Sequence, residues 1–255
     1  MENKIVFSIH IDIPEERLDN PGWWENGVQV TTDKSKVTKL ALLNNAERIQ
    51  ESQRKYANSI GADYRLFQYD NYYKNFYDEI KVDYPEISEY DIINFFKHRV
   101  LRDMADEYKY VCYMDFDVIP NTNDCIFTSH NVNKMLAVAE MNRLAIRGKI
   151  IKAEDYNACI RNPASKYWNT HAMLFEEGYD PENDVFNTGI MAGSSEVIKK
   201  LDYFKDFDYV IKLMTQVKHD EFSMYPSNIQ RVFKELKADL SKLSKDKDYV
   251  SINPR

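Results

Sequence analysis

Residues 110–120 read Tyr110-Val111-Cys112-Tyr113-Met114-Asp115-Phe116-Asp117-Val118-Ile119-Pro120, and this stretch decides the fold. Tyr110 to Met114 are large and apolar with no polar alternation, the signature of a central strand covered on both faces. Two carboxylates follow at once. In a parallel α/β sheet, ligands gather outside the carboxyl ends of the strands, so Asp115 and Asp117 stand where such a sheet places its chemistry.

Working outward, Ser88 and Asp91 precede Ile92, Ile93, Phe96, Val100, Leu101, Met104 and Tyr108, whose spacing predicts an amphipathic helix with polar residues at its start. Further upstream, residues 4–13 read as a buried strand ended by Pro14. Residues 37–60 read as a helix, with Val37, Leu40, Ala41, Ile49, Tyr56 and Ile60 near one face and Gly61 as its C-cap. Residues 63–69 read as a second strand. Strand, helix, strand, helix, strand predicts an α/β domain with a central mixed, mostly parallel sheet flanked by helices. Between the first strand and the first helix, residues 19–27 form a turn-rich loop whose Trp23 and Trp24 cover a pocket or fill its rim.

Downstream of Pro120 the pattern is less regular. A helix is expected near residues 132–142, and a polar loop region over 152–184 that faces an acceptor. Residues 186–193 read as a strand entered through a turn and followed by a helix from Ser194 or Ser195 to Phe204. Residues 234–248 read as an amphipathic surface helix.

Composition narrows the class. The chain has 255 residues, 44% hydrophobic and 29% charged, which suits one folded globular domain and excludes a disordered chain. A net charge of -7 with scattered Lys and Arg gives no general attraction to nucleic acid. Cys112, Cys125 and Cys159 are too few and too dispersed for a disulfide framework or a zinc site. No apolar segment of about twenty residues occurs, so no membrane span is expected, and the short apolar run at the N-terminus enters a strand directly. These features together predict a cytoplasmic protein, in a bacterium or encoded by a virus and made in its host's cytoplasm.

Two aspartates one residue apart at the end of a buried strand make a site for a hard cation, Mn2+ or Mg2+, because carboxylate oxygens suit these ions and leave room for diphosphate oxygens. The ion would offset charge on a departing nucleoside diphosphate. An isolated Asp-x-Asp describes a solvated turn equally well; the strand before it and Val118-Ile119-Pro120 after it give the metal reading its weight.

With that context, residues 110–120 resemble the DxD strand of GT-A-fold glycosyltransferases. Phe186-Asn187-Thr188-Gly189-Ile190-Met191 is similar to a segment that follows the DxD motif in glycogenin-like and lipopolysaccharide-type transferases. His219-Asp220-Glu221 resembles the His-Asp-Glu signature of the blood-group-type retaining galactosyltransferases. These three islands imply a single GT-A, Rossmann-like domain, with residues 1–120 as the nucleotide-binding half and 121–255 as the acceptor side. They imply transfer of a sugar, with retention, from a nucleoside diphosphate sugar, a UDP-sugar foremost, to an acceptor hydroxyl. The acceptor itself is not legible; a glycan is the family expectation, with a protein side chain or a modified nucleobase as alternatives.

Residue by residue, the resemblance places Asp115 and Asp117 on the metal and Glu221 or Asp220 beside the reacting sugar. It places Ile9, His10, Ile11 and Asp12, at the first strand's exit, near base and ribose, and Lys97 near diphosphate or ribose, with Arg99 as a weaker candidate on the same helix. Phe116, Asn187, Thr188 and Gly189 complete the donor contacts: the Asn187 amide can bond sugar hydroxyls and Gly189 permits close backbone approach. One departure stands out, because no histidine follows His219 to act as the further metal ligand common in that fold. Two other functions remain on the sequence. A nucleotidyltransferase also uses carboxylate-bound magnesium, although the glycine- and lysine-rich loop it usually carries is absent here. A non-catalytic sugar- or nucleotide-binding module of the same fold is the other.

Overall fold

Strand β1, Lys4–His10, lies between two parallel neighbours, and its side chains divide the protein into layers. The computed structural model describes residues 3–14, 23–25, 28–30, 34–85, 87, 89–139, 186–201, 204–205, 207–209, 211 and 249–251. Ile5, Phe7 and Ile9 point to one side of the sheet and Val6 to the other, as the period of two requires. Helix α1, Lys34–Ser59, covers the Val6 face with Tyr56 and Ala57, joined by Ile60 just past its end. Helices α2, Asn71–Asp83, and α3, Glu89–Glu107, cover the Ile5 face with Tyr73, Phe76, Ile80, Phe96, Val100 and Leu101. The result is a sheet with apolar layers on both faces.

The sheet has six strands in the order β4-β1-β5-β7-β6-β8. The remaining members are β4, Asp63–Gln68; β5, Tyr110–Met114; β6, Met135–Ala139; β7, Phe186–Ser194; and β8, Tyr249–Ser251. Pairing is parallel for β4-β1, β1-β5 and β6-β8, and antiparallel wherever β7 takes part. The sheet is thus mixed and mostly parallel, as the element order predicts. Separate from it, β2, Trp23–Glu25, pairs antiparallel with β3, Val28–Val30, so part of the expected loop is a small hairpin.

Local chemistry explains most boundaries. β1 stops at His10, short of the expected residue 13, because the Ile13 N–H turns back onto the Ile11 carbonyl at 3.1 Å. α1 ends as its glycine predicts. Gly61 adopts φ +64°, its N–H bonds the Asn58 carbonyl at 3.2 Å, and the Ala62 N–H bonds the Ala57 carbonyl at 2.9 Å, the paired bonds of a Schellman end. α2 has no counterpart among the sequence expectations. It starts at Asp70, whose carboxylate accepts the Tyr73 N–H at 3.1 Å, and buries Tyr73, Phe76 and Ile80 at helical spacing.

One expectation is overturned. The helix expected near residues 132–142 is strand β6, hydrogen-bonded to β7 on one side and β8 on the other. Met, Leu and Ala favour helices in isolation, but Met135, Leu136 and Ala137 are all completely buried, and a short apolar run covered on both faces is what an inner strand needs. A four-residue helix, α4, Ile126–Ser129, lies upstream instead. β7 and the helix after it, α5, Ser195–Leu201, follow the reading of that segment, except that the helix stops at Leu201 and Phe204 lies in a turn. The stretches 152–184 and 234–248 lie outside the described residues.

β7 meets α5 at Gly193, where an added Cβ would stand 2.8 Å from Val197 Cγ1 and 3.3 Å from the Met135 sulfur. Gly193→Ala should therefore lower stability by about 1–3 kcal/mol through overpacking. Gly61→Ala should cost about 1 kcal/mol through its left-handed backbone. In denaturant titrations, Val197→Ala should recover part of the first loss and none of the second.

Candidate active site

The carboxyl ends of β1, β4 and β5 share one edge of the sheet, and β7, running oppositely, brings its amino end to the same edge. The topology therefore gathers His10 to Asp12, Asp115 to Asp117, and Thr188 with Gly189, from three distant parts of the chain. The β5-β7 ladder continues one bond past the end of β5: the Asp115 N–H donates to the Gly189 carbonyl at 2.7 Å. The Val118 N–H then donates back to the Asp115 carbonyl at 3.0 Å, closing a turn that carries Phe116 and Asp117. Thr188 and Gly189 are buried beside it.

Strand parity aims Asp115. Val111 and Tyr113 belong to the core beneath α3, so Asp115, next in that alternation, faces α3 as well. Lys97 of α3 meets it with Nζ 2.8 Å from Oδ1, and the two side chains are only 10% and 33% exposed, so this is not a solvent-screened surface pair. The Tyr113 hydroxyl donates to the same oxygen, and the Lys97 ammonium lies 5.3 Å from the Tyr113 ring centroid. Lys97 and Tyr113 thus converge on Oδ1 of one carboxylate.

Asp117 has no ion-pair partner among the described residues. Although the residue is exposed at the surface, its carboxyl pKa is raised from the ordinary aspartate value, first by desolvation and then by repulsion from Asp115; its backbone hydrogen bond and Lys97 oppose this. Phe116, between the two aspartates, is buried and stacks on His10 with ring centroids 4.2 Å apart and planes 4° apart. Burial lowers the His10 pKa below its usual 6.5; Asp12 pulls it up and Lys39 pushes it further down. His10 is therefore a neutral, flat surface at pH 7.

The other predicted residues fall into place unevenly. Asp12 pairs with Lys39 of α1 at 2.8 Å, and Lys39 also donates to the Ile13 carbonyl at 2.8 Å, which fixes the loop after β1. Ile9 sits in the core, so only its main chain is placed to face a ligand. Ile11 packs against the same core. Arg99 turns away to Asp103 at 3.1 Å and Glu79 at 3.5 Å, leaving Lys97 as the basic residue of α3 on the acidic turn. Asn187 contributes its backbone to β7, opposite Val138. His219, Asp220 and Glu221 lie outside the described residues, as does Cys159.

Sequence reading misses Gln53. It is completely buried, and its Nε2 reaches the carbonyls of Asp115 at 3.1 Å, Phe116 at 3.5 Å and Val118 at 2.9 Å. Its Oε1 accepts the hydroxyls of Ser8 at 2.7 Å and Tyr64 at 3.0 Å. A signal exists in the sequence: position 53 lies four after Ile49 and three before Tyr56, within the apolar face of α1, where an amide is out of place.

A hard divalent cation suits the chemistry of this turn, since both carboxylates leave one strand end together and Asp117 gains most from a neighbouring positive charge. No group of three or more His, Cys, Asp or Glu placed to hold a metal ion occurs among the described residues.

No protein-family model matches the chain, and no curated protein matches it. Among solved structures, it is similar to the crystal structure of a glycosyltransferase involved in the glycosylation of the major capsid of PBCV-1. Identity is 11% and the TM-score 0.40, over 99% of this chain and 82% of that one. At that level the likeness carries no residue role and no activity to this chain. No described helix is long and apolar enough to cross a membrane.

The raised Asp117 carboxyl has a consequence for stability. A carboxyl whose folded pKa exceeds its unfolded one adds stability below the unfolded pKa and loses it as pH rises through the folded pKa. Asp117→Asn should therefore raise the thermal midpoint at pH 7, with the gain vanishing in acid below the ordinary carboxylate range. A variant less stable than the parent at both ends would show that Asp117 instead holds the turn together.

Proposed function

We propose that the chain is a metal-dependent glycosyltransferase that moves a sugar, with retention, from a nucleoside diphosphate sugar to an acceptor hydroxyl. The observation that carries this reading is the Asp115-Phe116-Asp117 turn at the carboxyl edge of the central strand, backed by Lys97 and β7. The sequence resemblance of residues 110–120 and 186–191 supports it, and both islands meet at that edge through the Asp115–Gly189 bond.

In this reading Asp115 and Asp117 hold Mn2+ or Mg2+, and the ion, when bound, neutralises diphosphate charge and assists its departure as a Lewis acid. Lys97 and Tyr113 fix Oδ1 of Asp115, so Oδ2 is the oxygen that would take the ion. The buried ammonium of Lys97 adds a second positive charge where the diphosphate would lie. His10, neutral and stacked on Phe116, offers a flat apolar face to a base or ribose. Thr188 and the Gly189 backbone flank the sugar, and the Asn187 amide is assigned to its hydroxyls on the sequence resemblance alone. Glu221 or Asp220 is assigned to the reacting carbon on the sequence resemblance alone. UDP-sugars are the first donors to try.

A second reading draws on the Lys97–Asp115 pair: a sugar-nucleotide-binding module in which the lysine already neutralises the carboxylate and no metal is needed. Thermal-shift and turnover screens of nucleotide sugars, with and without Mn2+, separate the two. A metal-dependent stabilisation by a UDP-sugar is expected, and at ligand about 100-fold above its Kd it amounts to about 2.7 kcal/mol. Asp115→Ala and Asp117→Ala should each abolish that shift and the slow hydrolysis of the donor. Donor binding that persists unchanged in both variants would sink the metal-dependent reading. Glu221→Gln should keep donor binding and lose transfer.

A further inference from the structure

We propose that Gln53 is the positioning residue of the acidic turn, and that its carboxamide sets how Asp115 and Asp117 are presented to a divalent cation. This rests on the metal reading above and adds to it a residue from a helix on the opposite face of the sheet from α3.

The bonding of Gln53 is saturated and its orientation is chemically fixed. Three carbonyl oxygens surround one end of the amide and two hydroxyls the other. Carbonyls only accept, so that end must be NH2. Its two protons serve the carbonyls of Asp115 and Val118, at 3.1 and 2.9 Å, with Phe116 at the 3.5 Å limit. The opposite oxygen takes one hydroxyl on each lone pair. Glutamate would set an oxygen against three oxygens, and asparagine is one methylene too short, so glutamine is the side chain this junction requires.

The contacts bridge separate elements. Ser8 lies on β1 and faces α1, Tyr64 lies on β4, and the carbonyls belong to the turn after β5. Those of Asp115 and Val118 bracket the acidic turn, and that of Phe116 belongs to the peptide leading into Asp117. Holding them fixes the spacing and direction of the two carboxylates from behind, on the side away from Lys97. Buried, fully satisfied polar networks give a unique geometry that an apolar contact does not. Groups that orient the ligands of a metal typically change its affinity by about 10–100-fold when removed.

The test measures Mn2+ binding alone, by electron paramagnetic resonance of the free ion, well below the thermal midpoint of each variant. Gln53→Met should weaken Mn2+ about ten-fold or more, and Tyr64→Phe, which removes one hydroxyl from the network, about three-fold. The triple variant Ser8→Ala/Gln53→Met/Tyr64→Phe removes the orphaned hydroxyls, so it should regain stability without regaining affinity. That separation of affinity from stability is the result a purely structural glutamine would not give. If the parent binds Mn2+, Asp115→Asn abolishes binding, and Tyr64→Phe and the triple variant both bind as the parent does, the positioning role is overturned while the metal site stands. If the parent binds no Mn2+, the metal site fails and this inference falls with it. Should Gln53→Met not fold, Tyr64→Phe and the triple variant decide the question.

Discussion

Strand β5 is hydrogen-bonded to β1 along one edge and β7 along the other, and apolar layers cover both its faces. A segment in that position cannot carry a charge, since an unpaired buried carboxylate would be neutralised or expelled. The chain therefore turns polar only where β5 leaves the sheet. Asp115 and Asp117 occupy that exit, and the rest of the site is organised around it.

Three supports reach the exit from different directions. β7 fixes the Asp115 main chain, α3 fixes the Asp115 carboxylate through Lys97, and α1 fixes the carbonyls of the turn through Gln53. Asp117 is left in tension, exposed at the surface yet raised in pKa by partial burial and by Asp115. Like charges held together against their own preference are a common arrangement where a protein needs to attract a cation, because the ligand removes the repulsion that the fold maintains.

Much of this was legible residue by residue, and the misses share causes. β5, α3 and the Gly61 cap were readable because each depends on neighbours within one element. β6 was misread as helix because Met135, Leu136 and Ala137 have helical propensities, and their enclosure by β7 and β8 involves residues more than fifty positions away at the one and more than a hundred at the other. α2 went unassigned, although Asp70 and the spacing of Tyr73, Phe76 and Ile80 carried both its start and its buried face. The sequence prefers Lys97 to Arg99 through a resemblance alone; the structure adds the contacts, sending Lys97 to Asp115 and Arg99 to Asp103 and Glu79.

The sequence by itself determined that a buried strand ends in two carboxylates, because hydrophobic period and the cost of burying charge are written in consecutive residues. Only the tertiary structure decided what holds those carboxylates. Gln53 meets its carbonyl partners across 62 to 65 positions of chain, and Gly189 meets Asp115 through a strand running the opposite way. Contacts of that kind follow from how sheet and helices stack, and no local pattern encodes them.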